Sequence, residues 1–208
     1  MTWAYIPVSK VMFAANEYLR MALPIRLQIL RLLALILALA TAPVFADTLR
    51  GKVVRVPDGD TVTVLDAQRQ QHRVRVKGID APEAKGQSFG QRSKENLIRL
   101  AAGRQVDVVW DMRDRYGRIV GKVLVSQEGC VGACPKVDVG LRQIEAGMAW
   151  HYKQYAADQT PEDRRRYAEA EESARAKRLG LWVDPKPVPP WTWRRQTSVN
   201  VTGGLDER

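Results

Sequence analysis

Cysteine and histidine are scarce in this chain, with two of each in 208 residues. All four would have to serve together to build one structural zinc site, so such a site is set aside. Acidic residues are outnumbered, 23 Asp and Glu against 33 Lys and Arg. The formal net charge of +10 makes a polyanion the first partner to consider, either nucleic acid or an acidic membrane surface. There is no apolar run of the roughly 20 residues that a spanning helix needs. Disorder throughout is excluded as well, because 45% of the residues are apolar and the charges are mixed. The length fits one globular domain with a little to spare.

From Met21 the chain reads MALPIRLQILRLLALILALATAPVFA. Arg26 and Arg31 precede the apolar run Leu32 to Ala42, and Val44 and Ala46 suit the positions three and one before a cut, the three-part pattern of a secretory signal. Residues 1–46 are therefore expected to be a removed signal segment, with cleavage after Ala46, and translation starting either at Met1 or at Met21. A retained anchor is the alternative. The segment carries Lys10, Arg20, Arg26 and Arg31 against Glu17 alone, so its removal leaves most of the positive charge on the domain. Export, to the periplasm or the medium, would place Cys130 and Cys134 where they are expected to pair as a disulfide; two free thiols on a loop are the alternative.

Beyond Ala46 the sequence predicts strands over Leu49 to Val56, Thr61 to Leu65, His72 to Val76, Gln105 to Trp110 and Arg118 to Val125. In the hairpin of the second and third, Val62, Val64, Val74 and Val76 are expected to face a core, with Arg73, Arg75 and Lys77 on the other side. Helical spacing predicts helices near Phe89 to Leu100, Val139 to Ala146 and Pro161 to Leu179, closed by Gly103, Gly147 and Gly180. The fold class expected is mainly β with helices (α+β), a five-stranded oligonucleotide/oligosaccharide-binding (OB) barrel with three packed helices over 47–183. Residues 184–208, rich in Pro and Trp, are expected to form an extended strap with a largely disordered end.

Three clusters mix acids and arginines: Asp58-Gly59-Asp60-Thr61, the run from Arg75 to Asp80-Ala81-Pro82-Glu83, and Asp114-Arg115-Tyr116-Gly117-Arg118. Each alone has an ordinary reading: Asp and Gly make turns, and Arg75 can be a solvated strand residue or an ion-pair partner of Glu83. Together, at strand ends of one barrel, the carboxylates offer hard oxygen ligands for calcium or magnesium and the arginines offer planar forks for phosphate. A cation, two arginines and one free carboxylate suit phosphodiester hydrolysis.

The strings DGDT (58–61), RVKGIDAPE (75–83), DRYGR (114–118) and LRQIEAGMAWHYKQY (141–155) resemble those of the staphylococcal nuclease, or thermonuclease, family. The resemblance runs from Leu49 to Val183, and PPWTWRR at Pro189 to Arg195 is similar to the ending of exported bacterial members. It implies a calcium-dependent nuclease acting on DNA and RNA and leaving 3′-phosphorylated products. By that likeness Asp60, Asp80 and the Ala81 carbonyl would hold one Ca2+, Glu83 would orient or deprotonate water, and Arg75 and Arg118 would clamp the scissile phosphate. Arg115 and Tyr116, with Tyr152 or Tyr155, would contact the nucleotide. Ala81 replaces a threonine of the family's best-known member, and the loop Gly129 to Pro135 is an insertion.

The rival function is a barrel that binds nucleic acid without cutting it. Retained acids argue against that reading, since Asp60, Asp80 and Glu83 would repel phosphate unless a cation intervened. His72 and His151 are expected to be surface or packing residues, and Trp110, Trp150 and Trp182 to fill core. Arg164-Arg165-Arg166 reads as a solvated helix face. Nothing in the sequence demands more than a monomer or a stable protein partner, and membrane contact would need an uncleaved signal segment.

Overall fold

The computed structural model describes Leu27 and residues 47–126 and 135–203, with side chains to Ser198. The signal segment and the Cys130–Cys134 pairing lie outside the described residues.

Five strands carry the architecture: β1 (Asp47–Asp58), β2 (Thr61–Asp66), β3 (Gln71–Val76), β5 (Gln105–Arg113) and β6 (Ile119–Ser126), with the two-residue β4 (Ile79–Asp80) between the third and fourth of them. They pair in the order β3-β2-β1-β5-β6, and β6 returns to β3 in parallel, closing a mixed barrel. This is the expected OB-type barrel. β1 serves two neighbours: Asp47 to Lys52 pair with β5, and Gly51 to Asp58 pair with β2 through two register shifts. Such bulges coil a long strand enough to turn the barrel corner. The interior is β-branched, with Val62, Val64, Val74, Val76, Val108, Ile119 and Val123 all but inaccessible to water. The alternation expected in the hairpin is observed, Val62 standing opposite Val74.

Helix α1 (Gly90–Ala101) buries Ser93, Leu97 and Ala101 against the barrel. A short strand β7 (Lys136–Asp138), which was not expected, extends the β6 edge and leads into α2 (Val139–Glu145). β8 (Trp150–His151) pairs with β4, placing Asp80 opposite Trp150. Neither two-residue strand is long enough to show a sequence period. Helix α3 (Pro161–Ala176) begins on Thr160, whose hydroxyl accepts from the Asp163 amide at 3.1 Å, with Pro161 and two acids in the first turn; each feature favours a helix N-terminus. A second apolar cluster joins Trp150, Ala174, Leu181 and Trp182, and the Arg175 guanidinium lies 3.9 Å from the Trp182 ring centroid. Trp110 is only partly buried against the barrel core.

The tail departs from expectation. Residues 185–189 are indeed extended, but a fourth helix, α4, follows at Pro190–Gly203. Proline at the first helical position costs no hydrogen bond and pre-sets φ. Trp191, packed against the second cluster, then fixes the helix on the domain.

One buried polar knot ties three of these elements together. Asp138 caps α2 by accepting from the Leu141 amide at 3.2 Å, and Tyr167 of α3 donates its hydroxyl to the two Asp138 oxygens at 3.0 and 3.1 Å. Burial pushes the Asp138 carboxyl above the ordinary carboxylate value, with these hydrogen bonds and Lys122 opposing. Tyr167→Phe therefore should cost about 2 kcal/mol, the worth of a hydrogen bond to a charged buried group. Urea unfolding measures this, and a loss under about 0.5 kcal/mol would show that the phenol contributes only its ring.

Candidate active site

The site is assembled from short segments that the barrel brings to one end. Between β1 and β2 the turn at Gly59 has no room for a side chain: a Cβ there would lie 1.9 Å from the Ser93 hydroxyl of α1. The turn is thereby pressed onto the helix, and Asp60 follows it into the site. Its Oδ1 accepts from the Thr61 hydroxyl at 2.9 Å and its Oδ2 from the Ala81 amide at 3.1 Å. The Asp60 carbonyl accepts from the Val76 amide at 2.8 Å. Asp80 lies on β4 and is wholly buried.

Arg75 joins the two aspartates. Its Nη2 donates to Asp80 Oδ1 at 2.7 Å, and its Nη1 pairs with Asp60 Oδ2. Burial works against the Arg75 charge, but Asp60 and Asp80 outweigh it, so the guanidinium holds its proton even more firmly than usual. Asp80 is pushed above the ordinary carboxylate range by burial, with Arg75 opposing the shift. The expected partnership of Arg75 with Glu83 is replaced by these two aspartates.

Glu83 is part-exposed and sits in a loop fixed from two sides. Its amide donates to the Gln87 side chain at 3.0 Å, and a Cβ on Gly90 would come within 1.8 Å of its carbonyl oxygen. Only glycine lets α1 start this close to the loop.

Arg118 reaches the same region by strand register. β3 and β6 pair in parallel with Arg75 beside Val120, so Arg118, two residues earlier, falls on the Arg75 face of the sheet. Its Nε donates to Asp114 Oδ2 at 2.7 Å. The same aspartate closes the turn by accepting from the amides of Tyr116 and Arg118 at 2.9 and 3.0 Å. Hydrogen bonds from Arg118 hold the Asp114 carboxyl below its usual value, although burial opposes them. Tyr116, 67% exposed, lies under the guanidinium groups of Arg115 and Arg118 at 4.9 and 5.6 Å. Among the described residues no ion pair links Arg118 to Asp60, Asp80 or Glu83.

Tyr152 and Tyr155 stand together, ring centroids 5.0 Å apart. Tyr152 follows β8, and its amide donates to the Gly78 carbonyl at 2.9 Å, beside the strand that carries Asp80. Burial and the nearby Asp80 charge raise its phenol above the ordinary value. Tyr155 is half exposed to solvent. His72 and His151 take the packing roles expected: His72 meets Asp66 at 2.7 Å beside the hairpin tip, and buried His151 meets Gln159 at 2.9 Å.

A hard cation fits this donor set. Asp60 and Asp80 offer carboxylate oxygens within reach of one guanidinium, beside the Ala81 main chain, and no soft ligand intrudes. Among the described residues no group of three or more His, Cys, Asp or Glu side chains converges as a ready metal cage. Two carboxylates and a carbonyl are thus the protein's share, the remainder being left to water and substrate.

Sequence reasoning missed three groups. Gln143 of α2, fully buried, donates its amide to the carbonyls of Gly59 at 2.7 Å and Ser93 at 3.1 Å, and accepts from Asn96. It locks the turn that presents Asp60. Gln87 supports Glu83, and Arg194 of α4 pairs with Asp80 and Glu83, each at 2.7 Å. Only the Arg194 signal, a basic residue in the PPWTWRR string, was visible beforehand. Gln143→Leu should lower stability by about 2 kcal/mol by stranding two buried carbonyls. Ser93→Ala, which loses only a 3.4 Å contact to Gln143, should cost much less; equal losses in urea unfolding would refute the special role of the amide.

Comparison with known proteins agrees with the geometry. Residues 73–184 match the family described as "Staphylococcal nuclease homologue". A "Micrococcal nuclease" of Shigella flexneri is 41% identical over 169 residues, covering 81% of this chain and 92% of that protein. An "Uncharacterized endonuclease" of Escherichia coli is 40% identical, covering 78% of this chain and 95% of its own. Another of that name from Haemophilus influenzae is 38% identical over 72% of this chain and 75% of its own. With its closed barrel, its paired aspartates and these relatives, the chain belongs to the staphylococcal nuclease family, and is a nuclease.

Proposed function

We propose that this is an exported, calcium-dependent nuclease that cleaves both DNA and RNA by in-line attack of water and leaves 3′-phosphorylated products. The observation that carries this reading is the Arg75 fork between Asp60 and Asp80, with Glu83 three residues beyond Asp80. Asp60, Asp80 and the Ala81 carbonyl would hold Ca2+, which when bound would supply positive charge beside the phosphate and its attacking water. Glu83, the carboxylate more open to solvent, orients the water and takes its proton. Arg75 spends two of its five N–H groups on the aspartates, and Arg118 spends its Nε on Asp114. Both arginines keep donors for the phosphate oxygens, whose negative charge grows in the transition state. Their pKa values lie too high for proton donation to the leaving oxygen, so charge stabilisation is their role. No group in this set reads a base edge or a 2′-hydroxyl, which supports action on both nucleic acids. Exposed Tyr116, Arg115, Tyr152 and Tyr155 serve as stacking and phosphate contacts. A binding-only barrel has no use for three acids at its phosphate site.

Incubation with plasmid DNA and with single-stranded RNA tests the reading. Both should be cut with calcium and neither in excess chelator, and the DNA ends should prime extension only after phosphatase treatment. Full cleavage in chelator would remove the metal from the mechanism. Glu83→Gln and Arg118→Ala should each slow turnover about a hundredfold or more, as loss of a transition-state donor does. Arg75→Lys is the better probe at its position, because Arg75→Ala would strand two buried carboxylates and cost about 3–5 kcal/mol of stability.

Export and the cysteines are tested together by intact mass of protein recovered from its native compartment. The species expected starts at Asp47 and is two hydrogens lighter than its reduced form. A chain still carrying Leu32 to Ala42 would favour an anchor, and two alkylatable thiols would refute the bridge.

A further inference from the structure

The C-terminal helix α4 is seated on the site it has no part in building. Arg194 places Nη2 2.7 Å from Asp80 Oδ2 and Nη1 2.7 Å from Glu83 Oε1, with a longer contact of 3.4 Å to Asp80 Oδ1. Asp80 Oδ1 is already taken by Arg75, so Arg194 claims the oxygen that remains. Three residues earlier on the same helix face, Trp191 stacks on Tyr152 with ring centroids 5.5 Å apart and planes 18° from parallel. It also meets Trp150 edge-on at 5.6 Å. The approach to the helix is tied down too: Gln87, which holds the Glu83 amide, donates to the Val188 carbonyl at 2.8 Å.

We propose that α4 is an autoinhibitory cover, in which Arg194 stands in the place of the divalent cation and Trp191 in the place of a substrate base, so that calcium must displace the helix to bind. The inference rests on the calcium reading given above. Its physical basis is that two cations cannot share one carboxylate oxygen. A metal ligated by Asp80 Oδ2 would sit within a few ångströms of the guanidinium, where like charges repel strongly in a partly desolvated site. The arginine fork suits the closed state because it spans two carboxylates at once, which a lysine ammonium cannot do in the same geometry. The cover is also built to release. The Arg194 side chain is 44% exposed, and the helix is held at the site by one guanidinium and one indole. A closed form favoured ten to one over the open form would weaken the apparent calcium affinity about tenfold.

Calorimetric titration of calcium into the full chain, without nucleic acid, provides the test. Arg194→Gln should bind calcium about tenfold more tightly than the unaltered protein. Trp191→Ala, which changes no charge, should also tighten binding several-fold, separating release of the helix from mere loss of a positive charge. In the unaltered chain, amide hydrogen exchange over 190–198 should speed up when calcium is added. Equal or weaker affinity in both variants, or slower exchange with calcium, overturns the cover and makes α4 a support of the cation site instead. No calcium binding in any of the three chains would overturn the calcium reading and the cover together, whereas equal binding in all three overturns the cover alone.

Discussion

The buried contact of Arg75 with Asp60 and Asp80 is the constraint around which the barrel end is organised. Moving an ion pair out of water costs several kcal/mol per charge, and the cost is repaid only when geometry and surrounding hydrogen bonds are good. Here they are: Asp60 also accepts from Thr61 and Ala81, and Asp80 is shared with a second guanidinium. The three charges come from the turn after β1, from β3 and from β4, so the triad is satisfied only when β2 and β3 are in register and β4 is docked on β8. A stability cost is thereby turned into positional accuracy. The apolar barrel supplies the stability that such a site consumes.

Around the triad, much of the accuracy comes from groups with no chemical role. Gly59 and Gly90 permit approaches that any side chain would block, one bringing the Asp60 turn against α1 and the other bringing α1 against the Glu83 loop. Gln143 then closes the gap between them by serving Gly59 and Ser93 with a single amide. The first helix is thus a common support for the Asp60 turn and the Glu83 loop. Asp114 plays the same part for Arg118, holding both the turn and the side chain that leaves it.

These two kinds of residue differ in how visible they are before folding. Val62, Val64, Val74 and Val76 announce a strand pair because a period of two is local, and the spacing of Arg75, Asp80 and Glu83 is local as well. Gln143 reads as an ordinary polar residue on a short helix; only the close passage of β1–β2 and α1, 84 and 50 residues away in sequence, makes it central. The strands β4, β7 and β8 are too short to carry a pattern. The tail was misread for a related reason. Four prolines from Pro185 to Pro190 favour extended chain, yet the last of them starts a helix whose anchors, Arg194 on Asp80 and Trp191 on Tyr152, lie far back in the sequence. Long-range contacts overrode local propensity there.

A self-paired acid cluster answers a problem that any nuclease of this design must meet. Asp60, Asp80 and Glu83 need a compensating charge to remain ionised at close range, and Arg75 alone leaves the balance negative. Without a bound cation the cluster either takes up a proton, as burial pushes Asp80 to do, or finds a second positive group. Arg194 is that group, and pairing with Asp80 and Glu83 raises its own pKa in turn. The resting site is therefore neutralised by the protein itself and keeps its carboxylates aligned. A divalent ion meets preformed ligands, and the guanidinium it releases is set free at the mouth of the site, where a polyanionic substrate arrives.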